Sequence, residues 1–155
     1  MKPFIVLILA FFLVLFPFYW IQGSWNFMLA GNIAMASMLV FTALGHFVYS
    51  QGMVMMLPQM LPAKKTLVYF TGVMEIAFAI GLYIPATRRL SADLLVLFFL
   101  VVLPANINAA QKNVDFQKAS YDGKGVGYLW LRIPLQVIFI FWTAYFGIIL
   151  EQMSS

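Results

Sequence analysis

Glu75 is a carboxylate near the middle of an apolar run, TLVYFTGVMEIAFAIGLY, at residues 66–83. A charged group at mid-bilayer costs about 2.5–3.5 kcal/mol, so it normally faces the interior and has a partner or a role. Thr71 lies four residues earlier on the same helical face. Four more polar groups stand near the ends of other apolar runs: His46, Asn106, Arg132 and Gln136. An imidazole, a carboxylate, a guanidinium and two amides suit the binding of a polar head group and the holding of a proton. Each also has a plain structural reading. Arg132 can snorkel to the head groups, His46 can bond a backbone carbonyl at the interface, Asn106 can cap a broken helix, and Glu75 can clamp two helices. Arg132 is the tempting partner for Glu75, although it starts roughly 10 Å nearer the surface by helical rise.

The elements that position these groups are membrane spans. The chain is 155 residues long, 64% hydrophobic and only 9% charged, against about 25% charged in a soluble domain. An all-α membrane protein follows, with no room for a soluble domain beside it. Five spans are expected: an anchor helix at 3–21 and bundle helices at about 27–49, 66–84, 90–109 and 128–150. The fold class is a four-helix transmembrane bundle plus an N-terminal anchor helix, in one membrane domain covering 1–155. The first run ends in Phe18-Tyr19-Trp20 rather than in small residues, which suits an uncleaved anchor at an aromatic belt better than a signal peptide. Ala30, Gly31, Ala34, Ala36, Ser37 and Ala43 in the second span allow close helix approach.

Proline punctuates the rest. Pro104, inside LFFLVVLPANINAA, removes a donor and crowds the carbonyl of Leu100, so a break in the fourth span is expected there. Pro85 with Arg88-Arg89 marks a tight turn. Pro134 argues for a late start to the last span, because proline is comfortable in a first turn. Pro58 and Pro62 forbid a regular helix across the whole 50–65 loop.

Counting cations by side, Lys2, Lys64, Lys65, Lys112, Lys118 and Lys124 fall on one face and Arg88 and Arg89 on the other. The richer face is expected to be cytoplasmic, giving a multi-pass protein of the cell (inner) membrane with its N-terminus inside and its C-terminus outside. Trp20, Trp25 and Tyr83 form one aromatic girdle, and Tyr49, Tyr128 and Trp130 the other. With that topology His46, Thr71, Asn106, Arg132 and Gln136 all lie roughly 5–12 Å from the inner boundary and Glu75 roughly 16 Å in, by rise per residue. A shared polar pocket below the inner leaflet is expected, its partners being the bilayer and other membrane proteins. The net charge of +4 is explained by the positive-inside bias and not by nucleic acid. With no cysteine, structural disulfides, thiol relays and thiolate metal sites are excluded. Met53, Met55, Met56 and Met60 admit Cu(I) in principle. An adaptable apolar surface explains them better, so no metal is assigned. No nucleotide loop, zinc helix or nucleophile elbow is present, and no internal repeat supports a small proton-coupled transporter.

The ordered set of Gly45-His46-Phe47, LPQMLP at 57–62, TGVMEIAFAIGLYIP at 71–85, LPAN at 103–106 and LRIPLQ at 131–136 resembles the DoxX family of small membrane proteins. The resemblance covers roughly residues 30–145 and leaves the anchor run outside the usual four-helix pattern. It implies a helical bundle linked to membrane oxidoreductase complexes, including a quinone-reducing thiosulfate-oxidation subunit, and to resistance to oxidative stress. A more distant relative acts as a receptor-assembly chaperone. Two functions are therefore expected. One is a non-catalytic subunit or assembly factor with a pocket for a lipid- or quinone-like molecule. The other is a quinone-linked oxidoreductase component in which Glu75, His46 and Arg132 bind the quinone head and move protons. In either case redox or assembly partner proteins are implied.

Overall fold

A computed structural model describes residues 2–123 and 125–154. Lys124 and the side chain of Tyr128, counted above for the inner face, lie outside the described residues. The long helices are α1 (Lys2–Gln22), α2 (Phe27–Val48), a short α3 (Ser50–Met56), α4 (Lys64–Tyr83) and α5 (Pro85–Gln111). A 3-10 turn (Gly125–Tyr128) leads into α6 (Leu129–Ala144), a π-helical segment (Tyr145–Ile149) and α7 (Leu150–Ser154). No strand forms among the described residues, and five helices are long and apolar enough to cross a membrane. This is a multi-pass helical membrane protein.

Helices α2, α4, α5 and α6 form the bundle, each beside the next, and the π-helical segment closes the ring against α2. The core between them holds Met35, Met38, Leu39, Phe78, Leu82 and Leu95. Helix α1 lies outside, along α2. It buries only Leu7 and Leu15, and its Phe11 ring stands edge-on to Trp142 at 5.1 Å. Apolar side chains gain little by leaving lipid for protein, so packing contacts and interhelical hydrogen bonds decide how these helices associate.

Several boundaries differ from the sequence expectation. Pro85 does not end in a turn; it is the first residue of α5, where a missing N–H costs nothing. The first turn of α5 then satisfies the last carbonyls of α4. Thr87 Oγ1 donates to Gly81 O at 3.1 Å, and Arg88 donates to Leu82 O at 3.0 Å and Tyr83 O at 3.4 Å. Gly81 is required here, because a Cβ would lie 1.9 Å from Ser91 Oγ. Pro104 does not break its span either: α5 runs through it to Gln111. Transmembrane helices tolerate proline through local adjustment and neighbouring groups; beside it the Gln136 side chain of α6 donates to the Phe99 carbonyl, one residue before the Leu100 carbonyl that Pro104 crowds. Pro134 is likewise inside α6, which starts at Leu129 and not later. The 50–65 loop carries the short helix α3, which stops ahead of Pro58.

Arg88 is the clearest surprise. The sequence placed it on the outer surface; in the fold it is 5% exposed, and its guanidinium stands 3.9 Å from Glu151 of α7. Its neighbour Arg89 stays outside, paired with Asp93 at 3.1 Å. Arg88→Met removes the donor to the buried Leu82 carbonyl and the partly buried Tyr83 carbonyl, the buried loss costing about 1–3 kcal/mol. It should lower the thermal midpoint of the detergent-purified protein by several degrees. Arg89→Ala, an exposed pair worth about 0.2–1 kcal/mol, should leave it nearly unchanged. Equal midpoints for both variants would contradict this role for Arg88.

Candidate functional site

The site lies in the seam between α2 and α4, where Gly72 of α4 backs onto His46 of α2. Gly72 makes the approach possible: a Cβ there would sit 2.8 Å from His46 Cβ and 3.3 Å from Cγ. With hydrogen alone at that position, the His46 imidazole crosses the seam and meets three groups of α4. Its Nδ1 is 3.0 Å from the Val68 carbonyl oxygen and 3.1 Å from Thr71 Oγ1. Its Nε2 is 3.5 Å from Glu75 Oε1. Thr71 Oγ1 also donates to Val68 O at 2.9 Å. The spacing 68, 71, 72, 75 is one face of a helix, so α4 presents a carbonyl, a hydroxyl, a gap and a carboxylate in sequence to one ring.

Partner chemistry fixes the ring's tautomer. A backbone carbonyl only accepts, so the nitrogen beside Val68 O carries a hydrogen. That leaves Nε2 facing Glu75. The Glu75 side chain is 9% exposed, and its second oxygen, Oε2, is buried with no hydrogen-bond partner. Buried polar atoms in native folds are nearly all satisfied. Two other polar side chains inside the spans follow that rule: Asn32 donates to Met28 O and Phe146 O at 2.8 and 2.9 Å, and Thr143 Oγ1 to Phe139 O at 2.8 Å.

The other expected residues do not join this cluster. Asn106 Nδ2 donates to Gln136 Oε1 at 2.9 Å, and Gln136 in turn donates to the Phe99 carbonyl. Asn106 is thus a link between α5 and α6 and caps no broken helix, since none exists there. No hydrogen bond or ion pair joins this amide link to the His46–Glu75 cluster among the described residues. Asn108 Nδ2 donates to Met56 O at 2.6 Å and ties α5 to the end of α3. The Arg132 guanidinium lies over the Phe116 ring, 5.7 Å from its centre, in a cation–π arrangement; the close partner of Glu75 is His46. The residues expected to share one pocket form two separate polar links, with Arg132 against Phe116 of the 112–123 loop. A cleft of about 430 Å³ lies between Tyr49–Gly52 and Phe116–Ala119, and an apolar groove of about 310 Å³ runs on the α2–α4 surface past Ser37 and Tyr83.

Sequence reasoning missed the links at the opposite end, Asn32 with Phe146 and Arg88 with Glu151. An asparagine inside an apolar span was itself a signal, as was a cation just past the final carbonyls of a helix.

A helical membrane bundle with a histidine–carboxylate pair between two spans is the class this architecture defines. Residues 35–146 match a family described as a domain of unknown function (DUF8561), and the chain belongs to that family. No curated protein matches the chain, and no solved structure does.

Proposed function

We propose that this chain is a DoxX-like, non-catalytic subunit or assembly factor of a membrane complex, and that its α2–α4 seam binds the polar head of a quinone- or lipid-like molecule. One observation carries the reading: Glu75 Oε2 is buried in the seam without a partner, within a span where an unused charge is costly. Glu75 and His46 would hold the head by hydrogen bonds, with Thr71 and Val68 fixing the imidazole that orients it. A bound quinone supplies reversible proton-coupled redox chemistry. The chain's own part is to bind, to orient and to hold one proton between His46 Nε2 and Glu75 Oε1. That last capacity favours a second reading, a component of a quinone-linked oxidoreductase whose electrons come from a partner protein. The resemblance in the 45–47, 57–62, 71–85, 103–106 and 131–136 segments supports both.

The test is retention. Purified in mild detergent, the wild type should carry a stoichiometric quinone- or lipid-like molecule in its organic extract. Losing a hydrogen bond to a charged group costs about 1.5–3 kcal/mol, so Glu75→Gln should retain about tenfold to a hundredfold less. Equal retention in a Glu75→Gln protein that folds normally, or no retained molecule in the wild type, contradicts the proposal.

In the same reading the N-terminus is cytoplasmic and the C-terminus lies outside. The lysine distribution supports this, as does the burial of Arg88, which leaves Arg89 as the exposed cation of the outer face. A C-terminal alkaline phosphatase fusion should be active and a C-terminal fluorescent-protein fusion dark. The reverse pattern overturns the orientation.

A further inference from the structure

A second polar surface lies away from the α2–α4 seam, in the cleft of about 430 Å³ between Tyr49–Gly52 and Phe116–Ala119. We propose that this cleft holds the phosphate head of an anionic phospholipid. Neither His46 nor Glu75 lines it, so the inference is independent of the seam. A close approach builds the cleft. A Cβ on Gly52 would collide with the Phe116 carbonyl oxygen, so the 112–123 loop seats directly on α3. Asp115 and Ser120 pair backbone to backbone at 2.8 and 3.3 Å. Asp115 Oδ1 accepts from the Gln117 and Lys118 N–H groups at 3.0 and 3.2 Å. This closed turn carries Gln117 and Lys118 to the cleft wall.

Among the described residues the lining is rich in donors and has no carboxylate. Lys118 supplies an ammonium, Gln51 and Gln117 supply amides, and Tyr49 and Ser50 supply hydroxyls. Tyr69 donates to Ser50 Oγ at 3.4 Å, so the Ser50 hydroxyl can pass its own hydrogen to a guest. Asp115, the nearest carboxylate in the chain, is engaged by its own turn. A further cation backs the wall: the Arg132 guanidinium stands 5.7 Å from the centre of the Phe116 ring, which Tyr49 meets edge-on at 6.1 Å. The place matters as much as the chemistry. The cleft sits where α2 ends, at the end of the bundle where Lys64 and Lys65 open α4 and Lys112 follows α5. The ends of spanning helices lie at head-group level, and basic pockets there recognise anionic lipid heads. The volume also falls within the roughly 300–1,000 Å³ of small-molecule sites.

The experiment uses the full chain in neutral detergent, with native mass spectrometry counting bound lipid as phosphatidylglycerol or phosphatidylcholine is titrated in. The two lipids share tails and a phosphate, but choline cancels the phosphate charge. The wild type should bind one phosphatidylglycerol about tenfold more tightly than phosphatidylcholine, the size of one charge-assisted contact. Lys118→Glu should abolish that preference, and Lys118→Arg should keep it. Lys65→Glu makes the same change of charge at the same end of the bundle but outside the cleft, and should keep it too. Should Lys118→Glu fail to fold, Lys118→Ala is read in its place. Equal affinity of the wild type for the two lipids, or equal loss in the Lys118 and Lys65 variants, overturns the inference. So does glycerol 1-phosphate binding as tightly as the lipid, which would make the occupant a soluble phosphate.

Discussion

The bundle depends on how closely α2 and α4 approach at Gly72. Nothing larger than hydrogen fits between the α4 backbone and His46, because a methyl group on residue 72 would stand 2.8 Å from His46 Cβ. In lipid the two helices gain little from hiding apolar surface, so close contact and hydrogen bonding must hold them together. The glycine provides the contact and the histidine the bonding. Because the ring is tied at one nitrogen to the α4 backbone at Val68, its other nitrogen is aimed at the Glu75 carboxylate about two turns on. Position, tautomer and the presentation of Glu75 are thus consequences of one missing methyl group.

The ends of the bundle carry their own links between helices. Toward the end where α2 finishes, the Asn106–Gln136 amide pair joins α5 to α6 and reaches the backbone ahead of Pro104. Toward the other end, Asn32 of α2 bonds the Phe146 carbonyl inside the π-helical segment. Trp142 Nε1 donates to Gly31 O at 3.0 Å. A π turn widens the helix and changes which residues face inward. Here Gly147 lies against Ala92, with only 2.6 Å from a Cβ at that glycine to the Ala92 methyl. The chain beyond it brings Glu151 to Arg88. Both ends are tied across helices, and the unpartnered Oε2 of Glu75 lies between them, at mid-span.

Much of this was legible in the residues. Spans follow from runs of apolar side chains long enough to cross, and the importance of Glu75 follows from the cost of its charge. Its partner was not legible, because counting depth from helix ends assumes that all ends are level. His46 is two residues from the end of α2, whereas Glu75 is roughly 16 Å into α4 by helical rise. Their contact means that α2 stops about two turns short of the α4 terminus, with α3 and the 57–63 loop in the space left over. Arg88 was hidden for a different reason. Its environment depends on Pro85 starting a helix instead of closing a turn, and proline is equally at home in either place. The acceptor for Asn32 is 114 residues away in sequence, and no local pattern encodes that.

The most direct test uses the fact that the chain has a single histidine. Histidine labelled with 15N, in the full protein in nanodiscs, gives one imidazole whose two nitrogens can be assigned without ambiguity. The structure requires Nδ1 to carry a slowly exchanging hydrogen, and Nε2 to respond when Glu75 is replaced by Gln while Nδ1 does not. A bare Nδ1, or a ring averaging between tautomers like free imidazole in water, would contradict the histidine–carboxylate seam on which the rest is built.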